Sequence, residues 1–195
     1  KKDIGIIYSE QPQTNIAGVY TLNQVCAAPV KLCQKNGKNG KGQLIVINSG
    51  IANAATGKKG MQDAVQMQNE AAKKWQLKAG DTFVCSTGKI GEHLPMTKIK
   101  KGIKSLHSKL SKNGFEDCAE AIRTTDQYAK TMHYKGKLGG KPYTIAIMAK
   151  GAGMIQPNMA TMLCFITTDL NIPQTTLKKL LKESVDDTLN CLSVD

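Results

Sequence analysis

Six short apolar runs, each bounded by Gly, Asn or Ser, constrain this 195-residue chain more than any other feature of its sequence. Residues 4–8, 18–22, 43–48, 82–85, 143–148 and 162–167 are rich in β-branched side chains and too short for buried helices, so each reads as a strand. Among them lie three helical patterns. Met61, Ala64, Val65, Ala71, Ala72 and Trp75 share one face of a helix over about 59–76. Ile99, Ile103, Leu106 and Leu110 form a second stripe with lysines opposite, and Pro173, Leu177, Leu180, Leu181 and Val185 a third that starts at the proline. The order of elements is irregular, with strand pairs toward each end. That favours a mixed α/β (α+β) chain of layered sheets flanked by helices over a strictly alternating doubly wound fold.

The formal charge of +12 raises the question of nucleic acid. The lysines gather in residues 31–41 and 98–112, and the second group is the wet face of a helix. One Trp, five Tyr and three Phe, none interleaved with the basic runs, do not make a base-stacking platform. A surface that attracts anionic metabolites or aids solubility accounts for the charge as well. Six cysteines at 26, 33, 85, 118, 164 and 191 include no Cys-x-x-Cys pair, and several sit in apolar runs, so they read as free core thiols rather than a zinc site. No apolar run approaches a bilayer span and the first residues have no signal-peptide core, which predicts a soluble cytoplasmic protein. The run Lys35-Asn36-Gly37-Lys38-Asn39-Gly40-Lys41-Gly42 is expected to be a flexible basic loop. The last helix runs toward Asp195 without a stop signal, as in a truncated chain.

Three Gly-rich segments follow expected strands. Asn48-Ser49-Gly50-Ile51-Ala52-Asn53-Ala54-Ala55-Thr56-Gly57 has small side chains that let a ligand or another backbone approach; a tight strand-to-helix connection is the plainer reading. Ser86-Thr87-Gly88-Lys89-Ile90-Gly91 could leave converging N–H groups for an anion or oxyanion, a weak signal on its own. In Ala149-Lys150-Gly151-Ala152-Gly153-Met154-Ile155-Gln156-Pro157-Asn158-Met159-Ala160-Thr161 a threonine opens an apolar strand after a proline-stiffened approach. Its methyl group fixes the hydroxyl at one χ1. There is no Gly-x-Ser-x-Gly elbow, and His93, His107 and His133 lie in polar, lysine-rich surroundings, so a Ser-His-Asp triad is poorly supported.

The third segment, with Met162-Leu163-Cys164-Phe165-Ile166-Thr167-Thr168-Asp169, resembles the processing site of the ornithine acetyltransferases, or bifunctional glutamate N-acetyltransferases. The other segments resemble that family in order: Thr21-Leu22-Asn23 with Ala28-Pro29-Val30, Asn48 to Gly57 against its Asn-Ser-Gly-Asn-Ala-Asn-Ala, Ser86 to Gly91 followed by Leu94-Pro95-Met96, and Thr124-Thr125-Asp126. The likeness covers residues 18–169. Ile51 stands where the family usually has Asn, Ala55 where it often has Cys, and Gln156 at a commonly small position.

The resemblance implies an αββα-type self-processing fold shared with a group of aminopeptidases. It implies cleavage between Ala160 and Thr161, after which Thr161 carries acetyl from N-acetylornithine, with acetyl-CoA a further candidate donor, to glutamate. Residues 1–160 would be the first subunit and 161–195 the truncated start of the second. Thr87 and Gly88 would form the oxyanion hole, and Thr124 and Lys150 would contact substrate, although a turn-capping Thr124 and a solvated Lys150 are the plainer readings. No metal or cofactor is implied, and the assembly would pair two first and two second subunits. Family members continue for a comparable length, and that second half supplies further substrate-binding groups, a glutamate among them. The rival readings are a self-processing hydrolase of the same fold, whose members generally use serine, and a basic nucleic-acid-binding protein.

Overall fold

The computed structural model describes residues 2–194. Strand β1 (Ile4–Tyr8) lies antiparallel to β4 (Leu44–Ile51), and β4 runs parallel to β5 (Thr82–Lys89), so the first sheet has the order β1-β4-β5. Helix α2 (Gly57–Trp75) makes the crossover from β4 to β5, as a parallel pair requires. Its apolar stripe buries Ala64, Met67, Ala71 and Trp75 against Leu44, Val46 and Val84 of the sheet. The helix closes on Gln76, left-handed at φ +56°, whose N–H bonds the carbonyls of Ala72 and Lys73. Helix α1 (Ala28–Asn36), begun by Pro29, and α3 (Met96–His107) join the same core through Leu32, Ile99 and Ile103.

The other face of this sheet meets a second layer. Side chains alternate along β4, so Leu44 and Val46 face the helices while Ile45 and Ile47 face away. Ile47 packs with Cys118, Ala119 and Ile122 of the α4 region (α4, Phe115–Ala121) and with Met148 and Phe165 of a second sheet. That sheet is an antiparallel meander of β6 (Lys130–Leu138), β7 (Lys141–Lys150) and β8 (Leu163–Thr168). Gly139 and Gly140, at φ +57° and +78°, make the two-residue turn between β6 and β7; both central residues need the left-handed region there. The outer face of this sheet leaves Met132, Tyr134, Leu138 and Ile166 exposed. Helix α5 (Gln174–Asp187) begins directly after Pro173 and buries Val185.

The mixed α+β layering of sheets and helices agrees with the sequence. Five of the six expected strands are present, four of them running past the expected C-terminal bound, and so are the three expected helices. Residues 18–22 are not a strand: Leu22 is 77% exposed and the segment has no pairing partner. Residues 35–42 are not a loose loop, because Asn36 ends α1, a 3-10 turn covers Gly37–Asn39, and β3 (Lys41–Gly42) pairs with β2 (Thr14–Asn15). His107 and His133 are less polar in setting than expected, packing on Trp75 and Phe115 with ring centroids 4.9 and 4.5 Å apart. All six cysteines are free; Cys33 and Cys118 are buried, and Cys191 is exposed rather than in the core. Among the described residues no helix is long and apolar enough to cross a membrane.

Candidate active site

The first two Gly-rich segments are not turns at their outset but the C-terminal ends of β4 and β5, lying side by side. Ser49 is in register with Thr87 and Gly50 with Gly88. A Cβ on Gly88 would stand 2.2 Å from the carbonyl carbon of Gly50, so the backbones touch where both strands end. The ladder then loses its regular register at Ile51. Two rows of polar side chains result. Asn48 and Ser86, on the helix side, are satisfied: the Ser86 hydroxyl is 2.6 Å from Asn48 Oδ1, and Asn48 Nδ2 donates to the Ile51 carbonyl at 2.9 Å. Ser49 and Thr87 are on the side of the second sheet, the same side as Ile47 and Cys85, and are 9% and 7% exposed. The ends of parallel strands, where the chain turns away and leaves a crevice, are where ligands of α/β sheets bind.

Asn53, fully buried with φ +52°, ties the connection to α2: its Nδ2 donates to the Gly60 carbonyl at 2.8 Å and its Oδ1 accepts from the Thr56 hydroxyl at 2.7 Å. That is a structural role for the segment.

A second cluster forms where β7 ends. Lys150 is 6% exposed and in register with Leu163, on the face of the second sheet that carries Met148 and Phe165 toward the first. Its side chain is largely withdrawn from solvent and makes no hydrogen bond or ion pair among the described residues. Burial lowers the pKa of its ammonium group, with Asp126 opposing that shift and Lys130 adding to it.

Asp126, which the sequence left without a role, organises this region. Its Oδ1 accepts from Lys130 Nζ at 2.6 Å and from the Gly151 N–H at 2.8 Å, and its Oδ2 accepts from the Thr124 N–H at 3.3 Å. Arg123 clamps the same loop, donating to the carbonyls of Asp126 and Gln127 at 2.8 and 3.1 Å. One carboxylate thus ties the Thr124 loop to Gly151, which directly follows Lys150 at the end of β7. Beside them an open depression of about 470 Å³ is lined by Thr125, Gln127, Tyr128, Lys130 and residues 151–153.

Burial alone pushes the Asp126 pKa up, but the hydrogen bonds from Lys130, Gly151 and Thr124 outweigh it and hold the carboxyl at about 2. The folded value lies below the usual carboxylate value near 4, so this contribution is complete above about pH 4 and is lost as pH falls toward 2. Asp126→Ala leaves Lys130 and two N–H groups without their acceptor, and should cost about 3 kcal/mol at pH 7. Thermal melts should show the gap between wild type and variant narrowing from pH 4 downward. A gap constant over that range would exclude the carboxylate as its cause.

Thr161 does not open the strand as expected. β8 begins at Leu163, and Thr161 is left-handed at φ +52°, a conformation a β-branched residue rarely adopts. Met154, Asn158 and Met159 are left-handed too, at φ +54°, +63° and +60°. The turn is closed by the Ala160 N–H to the Gln156 carbonyl, and the Thr161 hydroxyl donates to the carbonyls of Met154 at 2.7 Å and Gly153 at 3.2 Å. The loop is anchored from outside by the Ile155–Val194 bridge and by the Asn158 N–H to Asn190 Oδ1. A left-handed non-glycine residue costs about 1 kcal/mol, and Thr161 itself carries that cost beside the peptide bond joining it to Ala160. Thr161 is exposed, and no described hydrogen bond links it to Thr87, Gly88, Thr124 or Lys150.

The ArgJ family model matches residues 1–195. The arginine biosynthesis bifunctional protein ArgJ of Caldanaerobacter subterraneus subsp. tengcongensis is 49% identical over 195 residues, which are all of this chain and 48% of that protein. Its namesake in Staphylococcus epidermidis is 50% identical over 197 residues, with the same coverage. The chain therefore spans about half the length of the curated relatives it matches. The crystal structure of ArgJ from Bacillus halodurans superposes with a TM-score of 0.74 at 42% identity over 83% of each chain. Ornithine acetyltransferase of Mycobacterium tuberculosis, solved with ornithine, gives 0.72 at 32% identity over 83% of this chain and 84% of that one.

Proposed function

The chain belongs to the ArgJ family, and from that premise we propose that it is the first half of a self-cleaving glutamate N-acetyltransferase of arginine biosynthesis, with Thr161 as nucleophile. The family match over all 195 residues carries the reading. Near-equal coverage means that the matched solved chains are about as long as this one, whereas the curated proteins are about twice as long. On this reading residues 1–160 belong to the first subunit and 161–195 open the second.

Cleavage starts from the strained loop. The Thr161 Oγ attacks the Ala160 carbonyl carbon, the C–N bond breaks, and the Ala160 acyl group moves to oxygen as an ester that water opens. Release of left-handed strain favours this step. A free α-amine is ordinarily less basic than a lysine side chain, and this one takes the proton of its own hydroxyl as that oxygen attacks the acetyl carbonyl of N-acetylornithine. Ornithine leaves, the acetyl group rests on Thr161 as an ester, and the amine of glutamate takes it. One residue supplies nucleophile and base, so no histidine is required. The Thr87–Gly88 strand end stabilises the oxyanion, a contribution of about 3–4 kcal/mol per donor. Lys150, largely buried and without a carboxylate bound directly to it, pairs with the substrate carboxylate, and Thr124, tied to the end of β7 through Asp126, contacts the same substrate.

The word "bifunctional" in the relatives' names supports acetyl-CoA as a second donor. Two first and two second subunits form the assembly, and free thiols suit a cytoplasmic setting. Full-length protein given N-acetylornithine and glutamate should release ornithine and form acetylglutamate one for one. Ornithine release without acetylglutamate would instead make it a hydrolase of the same fold.

A further inference from the structure

The two polar rows at the ends of β4 and β5 differ in one respect. In the helix-facing row Asn48 and Ser86 satisfy each other. In the row facing the second sheet, Ser49 Oγ is buried with no hydrogen-bond partner among the described residues, and no hydrogen bond of the Thr87 hydroxyl is described either. A buried hydroxyl without a partner is destabilising, because it gives up hydration and gains nothing in return. A residue that only filled space here would be served better by alanine. Local strain of this kind is kept where a ligand completes the bonding.

Ser49 and Thr87 are neighbours in the parallel register, with side chains on one face, at the place where the Gly50 and Gly88 backbones approach closely enough to exclude any side chain at 88. Lys150 faces the same intersheet layer from the opposite sheet. We propose that Ser49 is a further catalytic residue: its Oγ–H donates to the oxygen of the acyl donor's carbonyl beside Thr87, and more strongly as that oxygen becomes negative. This rests on the acetyl-transfer reading above. The hydroxyl needs no proton transfer for this role; it donates a hydrogen bond and keeps its proton.

The test pairs Ser49→Ala with Ser86→Ala in the full-length enzyme, one row apart on adjoining strands. Ser49→Ala should lower kcat about 100-fold with KM changed less than threefold, slow acetyl-Thr161 formation equally in single-turnover mass spectra, and leave Tm unchanged or raised. Ser86→Ala should lower Tm by several degrees and leave kcat within threefold, since it breaks a bond already made in the free protein. Ser49→Ala that keeps the wild-type rate, or loses rate only in proportion to a fall in Tm, overturns the role of Ser49 and leaves the acetyltransferase reading standing. Wild-type enzyme that forms no acetylglutamate overturns both.

Discussion

Thr161→Ala in the full-length protein is expected to remain a single polypeptide and to lose acetyl transfer by a factor on the order of 10⁴ or more. Two losses combine in that figure. Without the hydroxyl nothing attacks the Ala160 carbonyl, so the α-amine that serves as base never becomes free. Without the hydroxyl there is also no atom to carry the acetyl group. Stability should hardly change, because Thr161 is exposed and its two hydrogen bonds go to carbonyls of its own loop. Alanine also removes a β-branched side chain from a left-handed position, and the net effect should lie within about 0.5 kcal/mol. Thr161→Ser keeps the oxygen and should still cleave. Gel mobility after expression and an acetylglutamate assay read both effects.

Gly88→Ala is expected to produce the largest loss of stability of any single change at the site. The added Cβ would meet the carbonyl carbon, carbonyl oxygen and Cα of Gly50 at 2.2, 2.4 and 2.7 Å. These are backbone atoms held in a parallel ladder, so no side chain can rotate away, and φ +128° adds strain for any L side chain. The combined cost should be about 3–5 kcal/mol, lowering Tm by roughly 10 °C for a chain of this size. Gly50→Ala provides the contrast. At φ +102° it pays the conformational penalty alone, because nothing stands within 4 Å of its Cβ, and about 1–2 kcal/mol is expected. Thermal denaturation of the two variants separates close approach from conformation; equal losses would count against the close approach.

The parts of this architecture that were legible in the sequence are those in which one periodicity does one job. The β4-α2-β5 unit announces itself through two short β-branched runs and the stripe from Ala64 to Trp75, each buried on one side. Strand β6 was illegible because three lysines and a histidine in Lys130–Leu138 hide the alternation of Met132, Tyr134 and Leu138. Gly139-Gly140, a two-residue turn between strands, was the signal that could have found it. Residues 18–22 misled in the other direction: a short run with β-branched side chains describes an extended segment but cannot supply the neighbouring strand that makes it part of a sheet. α1 and α4 escaped because helices of 9 and 7 residues offer too few turns for a stripe to stand out.

The same distinction runs through the candidate site. Gly88 and Thr161 stood out through local sequence, and the likeness to a family assigned them roles. Ser49 and Asp126 did not, because their significance lies in pairings the sequence does not display. Ser49 becomes notable only beside Thr87 across the β4–β5 register, with its oxygen unpartnered. Asp126 becomes notable only when the Gly151 N–H, 25 positions later, is seen to end on its carboxylate. The backbone at Thr161 differs from the one its sequence suggests. The apolar run after it suggested extended chain, whereas the Gln156–Ala160 bridge folds the approach into a left-handed turn.

The central claim, that the bond between Ala160 and Thr161 is broken to create the nucleophile, is tested most directly by N-terminal sequencing of the full-length protein purified under native conditions. Two polypeptides are expected, the second beginning Thr161-Met162-Leu163 with a free amine. A single uncut polypeptide that nevertheless forms acetylglutamate would contradict it, because an internal Thr161 has no amine to act as base.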